Sequence, residues 1–168
     1  VKGFTDLIKV MQLVDLNYQG VHLTLVGDGK EKDNIFKEVV KDNLTSKVKM
    51  TGYLFQEDID KLYDEAAIYL MTSHSESFGL VMLEAMAHGL PVVAFSSAEG
   101  ARELIKDGYN GYLIDNRNEH EMAEKIVSLL KNRKTLKEMG KNALKAANLY
   151  TKDEVIKKWV ELFNEETK

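Results

Sequence analysis

The chain has 168 residues, 44% of them hydrophobic and 30% charged, which is enough apolar material for one packed domain and too much for a disordered chain. Its 23 basic and 27 acidic side chains leave a formal net charge of -4, so the electrostatic footprint of a nucleic-acid binder is absent. Cysteine is absent, which excludes a disulfide scaffold, a thiolate nucleophile and a thiolate-held metal and fits a cytoplasmic protein; no apolar run approaches the ~20 residues of a membrane helix.

The chain opens at Val1 with no methionine and is read as a fragment of something longer. Residues 4–17 predict a helix with Leu7, Ile8, Met11 and Leu16 near one face. A strand at 21–26 ends in Gly27-Asp28-Gly29, and a helix over 31–44 leads to a second strand at 47–53. Then come a helix (58–65), a strand (66–73), a helix (78–88), a strand (90–95), a short helix (102–106) and a short strand (111–114). From Asn118 the pattern is purely helical, over 118–131, 134–148 and 151–163. Short strands alternating with helices predict βαβ units, hence an α/β, Rossmann-like parallel sheet flanked by helices with a helical C-terminal tail. The whole of 1–168 reads as one domain.

The stretch from Ser73 to Pro91 follows a strand and opens a helix. In open parallel sheets ligands sit outside the carboxyl ends of the strands, and helix N-termini suit phosphate. Gly79 lets a ligand approach the backbone. Glu84 is flanked by Leu80, Val81, Met82, Leu83, Ala85, Met86 and Ala87, so the helix reads as buried on all sides. A carboxylate inside it must be paired, with His88 one turn on as its partner, or must accept hydrogen bonds from a ligand. Gly27-Asp28-Gly29 is not G-x-G-x-x-G, because Lys32 occupies the third glycine's place, and alone it reads as a strand-end turn. The four histidines have no metal-ligand spacing, and no G-x-S-x-G surrounds a serine. Lys134, Lys137, Lys141 and Lys145 form one helical face and Leu136, Met139, Ala143 and Ala147 another, which predicts a solvated face opposite a core face, with a peripheral membrane contact as the rarer alternative.

Glu76 and Glu84 together make an E-x7-E pair inside ESFGLVMLEAMAHGLPVV. This resembles the donor-site signature of the family 4 retaining glycosyltransferases, which have the GT-B fold. Lys2-Gly3-Phe4, VHLTLVGDGK, VKMTGYL, PVVAF, Glu99-Gly100 with Glu103, and Asp107-Gly108-Tyr109-Asn110-Gly111 follow in the family's order, so the resemblance covers nearly the whole chain. It implies the C-terminal, nucleotide-sugar-binding domain of a two-domain enzyme. Glu84 would bind the ribose hydroxyls and Glu76 the transferred sugar, as nucleophile or as positioning group. Backbone N–H groups of Phe78, Gly79, Leu80 and Val81 would hold the diphosphate, and Lys2 would neutralise it as it leaves. Gly27, Asp28 and Gly29 would let the backbone approach the donor, and Gly52 and Tyr53 would lie against the base.

The resemblance further implies no metal and no cofactor beyond the nucleotide-sugar donor, a UDP-sugar by family frequency. The acceptor would be a polysaccharide or lipid-linked saccharide held by an absent N-terminal domain, in a bacterial protein at or near the inner face of the membrane. A family strand that precedes Lys2, in the middle of the sheet, is missing here. The chain is therefore expected to fold without that strand, to capture another, or to oligomerise, and to be inactive in transfer on its own. The last helix, with Val155, Ile156, Trp159 and Leu162, would pack on the absent domain. The alternatives are a non-catalytic nucleotide- or sugar-binding module and a sugar-nucleotide epimerase.

Overall fold

The computed structural model describes residues 2–166. Among them, five strands and eight α-helices alternate from the start: α1 (Phe4–Asn17), β1 (Leu23–Val26), α2 (Lys32–Lys41), β2 (Val48–Gly52), α3 (Gln56–Glu65), β3 (Tyr69–Met71), α4 (Leu80–Ala87), β4 (Val92–Phe95), α5 (Glu99–Leu104) and β5 (Gly111–Ile114). Then α6 (Glu119–Lys131), α7 (Arg133–Ala147) and α8 (Lys152–Glu166) form the tail. Asn118 and Asn132 start α6 and α7 by accepting hydrogen bonds from the amides of Glu121 and Thr135, both at 3.1 Å.

All strand pairings in the two sheets are parallel, as the βαβ pattern requires. The strands fall into two sheets, β1-β2 and β3-β4-β5, and among the described residues no ladder joins β1 to β3. Helix α1 spans the division. Its Val10 and Val14 pack with Val93, Phe95 and Ile114 of one sheet, and its Leu7, Ile8 and Met11 with Leu25 and Val48 of the other. Val10, Val14 and Ile8 are almost completely buried, each side chain contributing roughly 1.5–3 kcal/mol through area removed from water. Apolar packing against α1 thus ties the two sheets together across the division. Leu16, expected on the core face of α1, is instead 75% exposed near the helix end.

The course of α1 fixes the direction of both sheets. Asp15 near its C-terminus pairs with Lys47 at 3.0 Å, just before β2 begins. Gly3 at its N-terminus lies against Thr72, just after β3 ends. Both sheets therefore run antiparallel to α1, and their carboxyl ends share one edge of the domain. In the tail, Met139, Ala143 and Ala147 of α7 are buried while Lys134, Lys137, Lys141 and Lys145 face outward, the two faces expected of this helix. Gly140 lets α7 meet the end of α4, since a Cβ there would lie 2.3 Å from the Gly89 carbonyl oxygen.

Candidate functional site

The loop between β3 and α4 carries Glu76 to the carboxyl edge. Gly79 caps α4 with a left-handed backbone (φ 82), and a Cβ there would come within 2.3 Å of Met82 Cε and 3.3 Å of Glu76 Cγ. Only glycine fits both the conformation and the space. The Gly100 amide donates to the Glu76 carbonyl at 2.8 Å, and any side chain on Gly100 would collide with Phe78 O, 2.1 Å from an ideal Cβ. The loop is thereby clamped onto the start of α5.

Lys2 reaches the same place from the other end of the sequence. Its Nζ lies 3.2 Å from Glu76 Oε2, with the lysine side chain 61% and the glutamate 22% exposed. Gly3 makes the approach possible: its φ is 68, and a Cβ would sit 1.9 Å from the Thr72 carbonyl oxygen. Thr72 Oγ1 donates to the Lys2 carbonyl at 3.3 Å, fastening the segment to the end of β3.

Helix α4 corrects two expectations. It is buried on one side only: Met82, Ala85 and Met86 face the core, while Leu80 (66%), Val81 (39%) and Glu84 face outward. The residue pattern hides this, because two of the outward residues are apolar. Glu84 is therefore a solvent-accessible carboxylate on an otherwise apolar exposed face, and burial does not force it to have a partner. Nor is His88 that partner. Its Nδ1 lies 2.7 Å from Asp64 and its Nε2 3.6 Å from Asp60, both on α3, with the Tyr63 ring 5.2 Å away.

Tyr63 belongs to no motif of the sequence, yet it is the group beside Glu84. Burial, then the charge of Glu84 and a hydrogen bond to it, push the phenol up to about 12. Its hydroxyl also stands 3.5 Å from the Val81 carbonyl oxygen. Tyr69 of β3 is pushed up as well, by burial first and then by Tyr63, Glu84 and Glu76. Both carboxylates of the E-x7-E pair thus act on Tyr69. A tyrosine on a helix otherwise rich in acidic residues carries no periodic signal by which to find it.

The carboxyl ends of β1 and β2 form a second cluster. The Gly27 amide donates to the Gly52 carbonyl at 2.8 Å, and both glycines have left-handed φ (125 and 73). A Cβ on Gly27 or Gly29 would meet nothing within 4 Å, so the backbone is open to approach there. Asp28 pairs with Lys32 at 3.1 Å and accepts from the Gly29 amide, which together hold its carboxyl below the usual range. Tyr53 is 74% exposed, edge-on to Phe55. The 107–111 motif has an architectural role: Asn110, 2% exposed, accepts from the Lys106 amide and donates to the Leu104 carbonyl, closing the turn into β5.

Two concavities, of about 300 and 580 Å³, lie beside α2 and β2 and between the end of α1 and α6, and neither includes Glu76 or Glu84. The clusters form an open rim on the carboxyl edge. Among the described residues no group of three or more histidine and acidic side chains is arranged to hold a metal ion, and no helix is long and apolar enough to cross a membrane.

Comparison with known proteins gives a consistent result. The family described as glycosyl transferases group 1 matches residues 1–146. A poly(ribitol-phosphate) alpha-N-acetylglucosaminyltransferase of Staphylococcus aureus is 36% identical over 159 residues, covering 94% of this chain and 32% of that protein. The crystal structure of a variant of S. aureus TarM in complex with fondaparinux, alpha-GlcNAc-glycerol and UDP superposes with a TM-score of 0.86 at 34% identity, over 97% of this chain and 33% of that one. The C-terminal domain of a group 1 family glycosyl transferase (LpcC) of Francisella tularensis superposes with a TM-score of 0.79 at 25% identity, over 89% of this chain and 79% of that one. The chain therefore spans about a third of the full-length S. aureus proteins and most of an isolated C-terminal domain.

Proposed function

This chain belongs to the group 1 glycosyltransferases, the retaining family with the GT-B fold, and from that premise we propose that it is the half of the enzyme that binds the activated donor, a UDP-linked sugar. The observation that carries the reading is the 3.2 Å contact of Lys2 with Glu76 beside the Gly79-capped start of α4. A cation and a carboxylate meet beside a helix N-terminus, where the first amides lack intrahelical partners, which suits a diphosphate joined to a polyhydroxyl ring.

In this reading the diphosphate lies on the amides of residues 78–81 and draws Lys2 toward it. Glu84 accepts the ribose hydroxyls, Gly27, Asp28 and Gly29 allow the donor close to the backbone, and Gly52 and Tyr53 face the base. Transfer breaks the bond from the anomeric carbon to the diphosphate oxygen, and the electron pair leaves with UDP. The acceptor oxygen bonds to the anomeric carbon on the same face and passes its proton to the departing diphosphate oxygen. Lys2 offsets the charge that develops on the leaving diphosphate. Glu76, freed from Lys2, faces the sugar.

The acceptor is proposed to be a polysaccharide, a polyol-phosphate chain or a lipid-linked saccharide. Support comes from the S. aureus poly(ribitol-phosphate) relative and from the glycosylated glycerol in the TarM complex. Its binding belongs to a second domain, against which the exposed apolar face of α8, with Ile156, Trp159 and Leu162, is proposed to pack.

The test is calorimetric titration with UDP, GDP and ADP, with Glu84→Ala as control. Binding of UDP that is lost in the variant supports the reading. Equal binding of all three nucleotides would contradict the choice of base, and UDP affinity unchanged in the variant would contradict the ribose role of Glu84.

A further inference from the structure

We infer that Arg117 is the positioning residue of the donor site, holding together the two segments that carry Lys2 and Glu76. The inference rests on the donor-site reading for its functional consequence, and on geometry alone for the positioning. Arg117 Nη1 donates to the Ser73 carbonyl at 3.1 Å and to Ser97 Oγ at 2.9 Å. Its Nη2 donates to the Thr72 carbonyl at 2.8 Å and to the carboxylate of Asp6. The guanidinium lies 4.5 Å over the ring of the fully buried Phe95.

Each of these partners leads to the site. Thr72 and Ser73 directly follow β3 and run into the loop of Glu76. Asp6 stands in the first turn of α1, one helical turn from Lys2. Ser97 stands just before α5, whose Gly100 clamps Glu76. One planar cation therefore satisfies acceptors from three chain segments at once. A lysine has the charge but a single nitrogen, and cannot span them.

The backbone carries a second, independent sign. Asn116 and Arg117 are consecutive non-glycine residues with left-handed φ (52 and 51). Such a conformation is disfavoured for L side chains and persists where the surroundings enforce it. Here it turns the chain after β5 so that the Arg117 side chain reaches back across Phe95 to the carboxyl ends of the strands. Among the described residues, Asp6, 18% exposed, has one other ion-pair contact, the imidazole of His74 at 3.7 Å. Without Arg117 the tie from Asp6 to the Thr72 carbonyl would be lost, leaving the Thr72 hydroxyl on the Lys2 carbonyl to hold the start of α1.

The test combines amide hydrogen exchange with calorimetric titration of UDP and UDP-glucose on the chain and its Arg117→Lys and Arg117→Ala variants. Exchange is expected to accelerate roughly tenfold or more at the Gly100 amide, which is bonded to the Glu76 carbonyl, and at the Leu7 amide in the first turn of α1 in both variants, while β4 and α6 retain their protection. UDP-glucose affinity is expected to fall by a larger factor than UDP affinity, because the sugar end depends on Glu76 and the nucleoside end on Glu84. Arg117→Lys serves as the milder variant should alanine prevent folding. Acceleration spread evenly over the chain, no local acceleration, or equal losses for the two ligands would each overturn the inference. Failure of the parent chain to bind either ligand would overturn the donor-site reading instead, and the exchange pattern would still decide whether Arg117 positions the two segments.

Discussion

Lys2 and Glu76 stand 74 positions apart in the chain, and their side chains meet at 3.2 Å because Gly3 lets the first segment lie directly on the carbonyl of Thr72. The pair is largely solvated on the lysine side, so it contributes at most about 1 kcal/mol to stability. Its two members are poised for a ligand that separates them. Glu76→Gln is therefore expected to leave the melting temperature nearly unchanged while weakening UDP-sugar binding more than UDP binding. Differential scanning fluorimetry beside calorimetry checks both parts, and a large fall in melting temperature would contradict the argument.

Gly3→Ala makes the complementary prediction. The left-handed backbone alone costs an alanine about 1 kcal/mol, and the overlap with Thr72 O adds to it. The Lys2 segment is expected to lift from β3, and UDP affinity to fall with it. Gly140→Ala should also destabilise, by about 1–3 kcal/mol of overpacking against Gly89, or roughly 2–4 °C in Tm per kcal/mol. That variant, far from the rim, should retain UDP affinity while it is folded.

Glu84→Ala is expected to weaken UDP binding by the ~1.5–3 kcal/mol of charge-assisted hydrogen bonds, roughly tenfold to a hundredfold. Because Glu84 is exposed, the variant should lose no more stability than its hydrogen bond with Tyr63 supplies, about 1 kcal/mol. An unchanged dissociation constant would remove Glu84 from the site.

The phenol of Tyr63 yields a prediction in pH. Its folded value is raised from 10 to about 12, so its contribution to stability is complete below pH 10 and is lost as pH rises through about 12. Tyr63→Phe should flatten that alkaline loss, and phenolate absorbance should show one tyrosine fewer among those titrating late. Tyr69 shifts in the same direction and should remain among the late titrants in the variant.

Much of this protein was legible in its residues. The alternation of short apolar runs with helical periodicity determined the parallel strands and the order of the elements, and in β4 burial on both faces leaves the strand no polar side. The spaced glycines and glutamates marked the carboxyl edge, because only glycine tolerates those turns. Tertiary structure decided the rest. The missing middle strand was expected from the family pattern, but it was the tertiary structure that set α1 across the two resulting sheets. It turned Glu84 outward, since a helix packed on one side can expose leucine and valine. It gave His88 to Asp60 and Asp64 rather than to Glu84, and brought Tyr63 to Glu84. It drew Arg117 back across Phe95 to segments 45 and 111 positions away. No local pattern encodes such contacts, because they form only when distant segments have been packed against a common core.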